Sequence, residues 1–212
     1  MSTSALQQTK ETARKTVMHS KTIEKDIRRI VVQALREGKM DSESIKQTLN
    51  QVIEGACAGS TTQLDKNSQA LKQVVTGMDA ALSQVAEASK LAIEEASANL
   101  QMFSDHDLKR ALHDLEDLEY LFFDTLREVA SKGKDTSHET LHDLLNHLQQ
   151  SGSAVGQSVT DILTGLQHDL SKNGRLEKIQ LADIAKASGA IFARVSSGIL
   201  AGIADSLEPK NK

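Results

Sequence analysis

Apolar side chains recur along most of the chain at the spacing of one face of an α-helix. Between Thr22 and Glu37, and again just after residue 44, they follow intervals of i, i+4, i+7, i+8 and i+11. Gly38 lies between the two stretches and is suited to end a helix, so the pattern predicts a helical hairpin that turns at Gly38. The apolar positions are Ile23, Ile27, Ile30, Val31 and Ala34, then Ile45, Leu49, Val52, Ile53 and Ala56.

On either side of this hairpin the helical pattern weakens. Upstream, only Leu6, Ala13 and Val17 continue the apolar face, so we expect residues 1–15 to be frayed or ordered by a partner. Downstream, the run from Gly55 to Gly59 interrupts it with small residues. Two alternatives remain open for residues 42–103, either a new helix capped near residue 62 or one helix that bends.

The segment from Leu64 to Phe103 is rich in Ala, Ser and Gln, and its apolar positions repeat every eleven residues. That repeat corresponds to 3.67 residues per turn and predicts a nearly straight or slightly right-handed apolar stripe. A heptad register fits part of the same segment, so a left-handed coiled coil stays open. The eleven-residue series are Leu71, Leu82 and Ile93; Val74, Val85 and Ala96; and Met78, Ser89 and Leu100.

Three further helices are predicted after residue 103. A leucine stripe indicates a helix from about Ser104 to Ser131, ended by Gly133. The next helix is capped by Thr136 or Ser137 and runs about 35 residues, with a bend near Gly152. After a turn at residues 173–174, the last predicted helix spans residues 177–207.

The last predicted helix carries small residues four positions apart, which allow a neighbouring backbone to approach closely. We therefore expect the tightest helix packing here. A hairpin that inserts into a membrane is the alternative, opposed by the charges of Asp183, Lys186, Arg194 and Asp205. The small residues expected at the contact are Gly189, Ala193, Ser197, Gly198, Ala201 and Gly202.

The composition agrees with a purely helical fold. Aromatic residues make up 2% of the chain, whereas strands favour aromatic and β-branched side chains, and the one proline is Pro209. We predict an all-α bundle of four to six long, amphipathic, mostly antiparallel helices. Residues 1–59 would form a basic helical hairpin and residues 60–212 a long-helix bundle, unless the two make one continuous domain.

Charge is distributed unevenly along the sequence. Residues 1–37 hold eight Lys/Arg against four Asp/Glu, whereas residues 104–150 hold five against eleven. We expect these segments to pair, with Arg28 and Arg29 facing Asp114 and Asp117 in the same chain or in a partner copy. Since no aromatic residues interleave with the basic ones and the whole chain is acidic, a nucleic-acid partner is not expected.

Candidate chemistry is sparse. His138, Glu139 and His142 form one Glu-x-x-His motif with a second histidine one turn earlier, but di-iron bundles need two such motifs and further carboxylates. The lone Cys57 has no evident base nearby in the sequence, and no glycine-rich phosphate loop occurs. We therefore expect no catalytic residues, no cofactor and no enzyme activity, and only a weak candidate for a metal site.

Several features favour a soluble cytoplasmic protein. A single cysteine implies no oxidising compartment, and the first residues lack the apolar stretch of a signal peptide. The residue at position 2 is Ser2, whereas myristoylation requires glycine there. No run of about 18 apolar residues would span a bilayer as a simple helix.

Long Ala/Ser/Gln-rich helices with an eleven-residue period make the chain similar to phasins, bacterial proteins that coat polyester storage granules, and to apolipoprotein-type coats. The residues that carry this resemblance are Val74–Leu100 and Leu181–Leu207. It implies a reversible amphipathic coat on an apolar granule or membrane surface. The rival interpretation is a self-associating scaffold or adaptor, a homo-oligomer or the partner of another helical protein. A metal-binding helical bundle is the third.

Overall fold

The structure is a computed structural model that describes residues 3–37, 42–60, 64–98, 105–133 and 135–172. These ranges are almost entirely α-helical, and no strand occurs within them, which confirms the prediction of an all-α helical bundle. In chain order the helices are α1 (Thr3–His19), α2 (Ile23–Glu37), α3 (Ser42–Gly59), α4 (Leu64–Ala98), α5 (Asp105–Ser131), α6 (Thr136–Ser151) and α7 (Ala154–Lys172).

The helices lie in two layers of three. In the first layer α1 packs on α3, and α3 packs on α5. In the second layer α2 packs on α4, and α4 packs on α6 and α7, which follow each other as one interrupted helix. The chain alternates between the layers, so the fold is a stack of three helical pairs, with α3 and α4 in the middle.

Helices of the same layer run parallel. Lys46 near the start of α3 contacts Asp124 of α5, and eight residues further along both helices Glu54 contacts Lys132. Because α2 and α4 each connect two parallel helices of the first layer, they run in the opposite direction. Consecutive helices are thus antiparallel, as predicted, while the parallel packing inside each layer was not predicted.

The expectation that residues 1–15 are frayed is wrong for the residues that the structure describes. Helix α1 is packed, with Thr9 and Ala13 buried. Its backbone lies so close to α3 that a β-carbon built on Gly55 would overlap the carbonyl oxygen of Lys10. A β-carbon on Gly59 would overlap the backbone one turn further along α1 in the same way. The two glycines therefore form a close helix contact rather than a weak point in the helix.

A similar contact joins α2 to α4. A β-carbon on Gly77 would lie 2.5 Å from the carbonyl oxygen of Glu24 and 3.2 Å from the β-carbon of Ile27. Neither distance leaves room for a side chain, so only glycine allows α2 to lie at this depth. The two helices of the predicted hairpin, α2 and α3, each have their closest packing with another helix, α2 with α4 and α3 with α1.

Helix α4 is the centre of the molecule and contacts all the described helices except α1 closely. Its eleven-residue stripe is buried, with Leu71 and Leu82 fully enclosed and Ile93 at 1% exposure. Helix α3 ends at Gly59 and α4 begins at Leu64 in the opposite direction, so the structure has two helices here rather than one that bends. One core cluster extends from Ala13 to Leu166 and includes residues from both sides of position 60.

The long helix predicted from residue 136 is divided at Gly152, whose φ of 85° is outside the helical range. Its predicted caps were wrong by one or two residues, since Asp135 caps α6 by accepting hydrogen bonds from the backbone N–H groups of Ser137 and His138. None of the described helices is long and apolar enough to cross a membrane. The helix predicted over residues 177–207 lies outside the described residues.

Candidate functional site

The predicted metal candidates do not converge on one point. The His138 Nδ1 lies 2.7 Å from a carboxylate oxygen of Asp135, and its ring lies over Gly133. Glu139 is exposed, and the exposed His142 ring contacts the side chain of Asn146. In the part of the chain that the structure describes, no group of three or more His, Cys, Asp or Glu side chains is placed to hold a metal ion.

His138 instead belongs to the N-terminal cap of α6. The hydrogen bond from His138 holds the pKa of the Asp135 carboxyl below its ordinary value, as do the backbone N–H groups of the first turn. An anion at a helix N-terminus is stabilised by the N–H groups exposed there. The contact between Asp135 and His138 therefore supports the helix start.

The structure does not bring together the residues predicted to form an electrostatic pair. Arg28 and Arg29 are exposed on α2, and Arg29 binds Asp26 one turn earlier, at 3.0 Å. Asp114 is buried on α5, and Asp117 on the same helix lies 3.5 Å from the ring of His113. Helices α3 and α4 lie between α2 and α5, so the pairing predicted within one chain is not formed by these residues. The pairing with a partner copy stays a prediction.

A different set of charges connects the first layer. The carboxylate of Glu54 on α3 lies 2.7 Å from the amine of Lys10 on α1 and 3.0 Å from that of Lys132 at the end of α5. Partial burial alone would raise the pKa of Glu54, but the two lysines outweigh it and hold the pKa below its ordinary value. Glu54 is thus a shared anion between two cations of neighbouring helices.

A second ionic group lies two turns away on the same face. The amine of Lys46 is 2.7 Å from the carboxylate of Asp124 and 3.1 Å from that of Glu128, both on α5. Glu128 also contacts Lys132, at 3.2 Å, so the two groups form one network. Hydrogen bonds to Asp124 and Glu128 raise the pKa of Lys46, so it stays a cation. The network fixes the register of three parallel helices that the sequence pattern left undefined.

The interruption between α6 and α7 is closed by a buried carboxylate from another helix. Asp79 of α4 accepts hydrogen bonds from the backbone N–H groups of Ala154 and Val155, each at 2.8 Å. Ser153 donates to the carboxylate of Glu119 on α5 and accepts from a backbone N–H in the first turn of α7. Three helices therefore meet at the start of α7 through polar contacts.

The charge on Asp79 is costly in this position. Burial raises its pKa above the ordinary value, and the nearby Glu119 carboxylate adds to the increase. The two N–H donors from α7 act in the opposite direction without cancelling the effect of burial. The site therefore serves as an interhelical cap, and we assign it no chemistry of its own.

Cys57 lies between the two glycines of the α1–α3 contact and is partly buried. Burial, with the negative charges of Asp135 and Glu54, raises the pKa of the Cys57 thiol to about 12. Since the thiolate is the reactive form, the thiol has the character of a packing residue, in line with the sequence-based expectation.

Sequence reasoning missed Gly55, Gly59 and Gly77 as contact residues and Asp79 as a cap. The spacing of Gly55 and Gly59 was a usable signal, because small residues four apart predicted close packing elsewhere in the chain. Asp79 gave none, since its partner helix begins 75 residues later. The small-residue positions from Gly189 to Gly202 lie outside the described residues.

Comparisons with known proteins give one match. A family model described as a family of unknown function, DUF6781, matches residues 1–209. No curated protein matches the chain, and no solved structure does.

Proposed function

We propose that this chain, which belongs to the family of unknown function DUF6781, is a non-enzymatic helical scaffold that acts by self-association. The observation that favours a scaffold over a coat is the burial of the apolar stripe of α4 inside the chain. Among the residues of that stripe, Leu71, Leu82 and Ile93 are enclosed by neighbouring helices. Neighbouring helices therefore already cover the apolar stripe of α4, and no external apolar surface is needed to cover it.

The outer surface supports the same proposal. Across the described side chains, the large hydrophobic residues that are well exposed are Met18, Leu91 and Tyr120, which lie on three different helices. Scattered single hydrophobic residues are ordinary on a protein surface and do not form a patch that would hold lipid or polyester. Contacts made by such a surface have to be largely polar, as in associations between folded proteins.

A coat of phasin type is the competing function. One of the two segments that carry the resemblance to phasins is Val74–Leu100. The apolar stripe in the described part of this segment is already buried in the core. A coat that used α4 would have to open the bundle and expose this core. The other segment, Leu181–Leu207, lies outside the described residues, so a coat would act through that segment. A metal-binding bundle has less support, because His138, Glu139 and His142 have separate surroundings.

The test is the mass of the full chain in solution, measured by light scattering across a range of concentrations. A scaffold is expected to give multiples of 23.0 kDa whose populations rise with concentration. The same samples are then mixed with anionic vesicles and with polyester particles, and the bound fraction is separated by flotation. A chain that is monomeric at every concentration and binds these surfaces would overturn the scaffold proposal in favour of a coat.

A matched pair of variants makes this comparison sharper. Leu82→Ala leaves a cavity in the core, whereas Leu91→Ala removes an exposed side chain from the same helix. If α4 works in the folded bundle, Leu82→Ala lowers stability by about 2–5 kcal/mol and Leu91→Ala by little. If α4 instead opens to bind an apolar surface through its buried stripe, Leu82→Ala also lowers the bound fraction, whereas Leu91→Ala, on the opposite face of the helix, has little effect.

A further inference from the structure

The two ends of the helical stack carry opposite charge. One end is formed by α1 and α2, where the described side chains include five exposed cations and one exposed anion, Glu24. The outer face of α2 lies opposite the buried Ile23, Ile27 and Val31, so its charges point away from the core. The exposed cations are Lys15, Lys21, Lys25, Arg28 and Arg29.

The other end is formed by α5 with α6 and α7. Residues 136–170 contain no lysine and no arginine, although they span almost all of two helices. Glu139 and Asp143 are exposed one turn apart on α6, on the side away from the buried Leu141, and Asp161 is exposed on α7. Within the described side chains, α6 and α7 therefore present a face with anions and no lysine or arginine, while the exposed cations of this end, Arg127 and Lys132, belong to α5 and the residue after it.

Neither face can neutralise the other within one chain, because α3 and α4 separate them. The helix direction within each layer is, however, the same in every pair along the stack. Helices α2, α4 and α6–α7 run parallel in one layer, and α1, α3 and α5 run parallel in the other. A second copy placed at the end of the stack would continue this order, with its α2 beside α6 of the first copy and its α1 beside α5.

We infer that the chain associates head to tail, with the basic outer face of α1 and α2 docked on the acidic outer face of α6 and α7 of a second copy. The inference rests on the proposed self-association and names the surfaces that perform it. Such an interface is heterologous, since different faces meet, so it builds filaments or closed rings rather than a two-fold dimer. It resembles the stacking of neighbouring units in a repeat protein.

The chemistry of the two faces favours a second copy as the partner. Complementary charge patches steer association and fix which surfaces meet, and salt weakens them because the screening length falls to about 3 Å at 1 M. The partner end needs anions at the spacing of Lys25 and Arg28, and α6 offers Glu139 and Asp143 at a similar spacing along a parallel helix. The binding surface and its complement are thus both present in the same chain.

The test uses two full-length charge-reversal variants and sedimentation velocity at low ionic strength. One variant is Lys25→Glu with Arg28→Glu, which leaves the pair of Arg29 with Asp26 intact. The other is Glu139→Lys with Asp143→Lys. Each variant alone is expected to weaken association by about tenfold or more, because one of the two docking faces then loses its excess of complementary charge. Circular dichroism and melting temperature confirm that each variant is folded.

Mixing the two variants is the decisive measurement. The first variant keeps the native α6–α7 face and the second keeps the native α1–α2 face, and their reversed positions are again opposite in sign, so an equimolar mixture is expected to recover association in alternating order. The control is Lys72→Glu with Lys90→Glu on the central helix α4. It lowers the net charge of the chain by the same amount as Lys25→Glu with Arg28→Glu, and it should associate like the native chain. If one variant is unfolded, salt titration of the native chain replaces it, with association expected to fall as salt rises.

The outcomes separate the inference from the proposed function. A native chain that stays monomeric at low salt and high concentration overturns both. A native oligomer that is insensitive to salt and to both reversals overturns the head-to-tail contact alone and leaves the scaffold. The native chain could also bind anionic vesicles without forming any oligomer, and Lys25→Glu with Arg28→Glu could abolish that binding. This result would assign the basic face to a membrane surface and would also overturn the head-to-tail contact.

Discussion

At the scale of single residues, the closest contacts depend on the absence of a side chain. Gly55, Gly59 and Gly77 lie where a β-carbon would overlap the backbone of a neighbouring helix. A glycine inside a helix costs about 0.5–1 kcal/mol relative to alanine. Each of these glycines therefore lowers the stability of its own helix, and in return it allows a shorter distance between helices. The distance in turn lets Lys10 reach Glu54 across the α1–α3 contact.

Replacing Gly55 tests this directly. We expect Gly55→Ala to lower the free energy of unfolding by about 1–3 kcal/mol, because α1 must move away from α3 to make room. Gly165→Ala is the matched control, since nothing lies within 4 Å of its β-carbon position, and it should stabilise the chain by about 0.5–1 kcal/mol. Urea unfolding of both variants gives the comparison. Equal stabilisation of the two would mean that the α1–α3 contact is loose in solution.

Cys57 provides a residue-scale test of burial. Since its thiol has a pKa of about 12, the thiolate is scarce at pH 8, and its reaction with a disulfide reagent should be slow in the folded chain. An unfolded cysteine has a pKa near 8.5, so adding denaturant should raise the rate on the order of 10³-fold. The rate is followed by absorbance in native and denaturing buffer. A folded chain that reacts as fast as the unfolded one would contradict the burial of Cys57.

At the scale of elements, the beginning of α7 depends on a side chain from α4. Asp79→Ala leaves the N–H groups of Ala154 and Val155 without their acceptors, and we expect it to cost about 1–3 kcal/mol. Asp161→Ala, on the exposed side of the same helix, is the control and should change stability by less than about 0.5 kcal/mol. Thermal unfolding of both variants measures the difference. A similar small effect for both would show that water replaces the carboxylate.

Asp79→Asn separates the shape of this cap from its charge. Because the pKa of Asp79 is raised above 3.8 in the folded chain, its stabilising contribution is full below pH 3.8 and is lost as pH rises through the raised value. The asparagine variant does not ionise and should therefore gain stability relative to the native chain between about pH 3 and pH 7. Urea unfolding at several pH values follows this gain. The opposite trend would mean that the two N–H donors outweigh burial.

At the scale of the whole molecule, Gly198 and Gly202 test where the last predicted helix makes its contacts, although both lie outside the described residues. We expect Gly198→Leu or Gly202→Leu to lower the free energy of unfolding by about 1–3 kcal/mol, because a large side chain overpacks a close contact with another backbone. Loss of the oligomer with a folded monomer would place that contact between chains. Light scattering and unfolding midpoints are measured together. Lower stability at unchanged mass would place the contact inside the chain.

Gly165→Leu is the control for this pair, because it adds the same side chain at a described helical position with open space around it. It should leave mass and stability close to those of the native chain. If neither Gly198→Leu nor Gly202→Leu differs from this control, the small-residue face is not a packing surface. A coat function acting through residues 177–207 would then gain support.

The sequence by itself determined that the chain is helical and which face most of its helices bury. Ile27, Leu49 and Leu82 were assigned to apolar faces from their spacing alone, and all three are fully buried. This succeeds because burial of one face is a property of consecutive residues, and a helix places positions three and four apart side by side. The prediction of one long helix from residue 136 was wrong, since α6 ends at Ser151 and α7 begins at Ala154.

Only the tertiary structure decided which helices are neighbours and in which direction they run. An apolar stripe does not specify its partner, so the predicted pairing of Arg28 and Arg29 with Asp114 and Asp117 could not account for the two helices that lie between them. The actual connections, Glu54 with Lys132 and Asp79 with Val155, join residues more than 70 positions apart. Such pairs depend on how the layers stack, and local spacing carries no information about that.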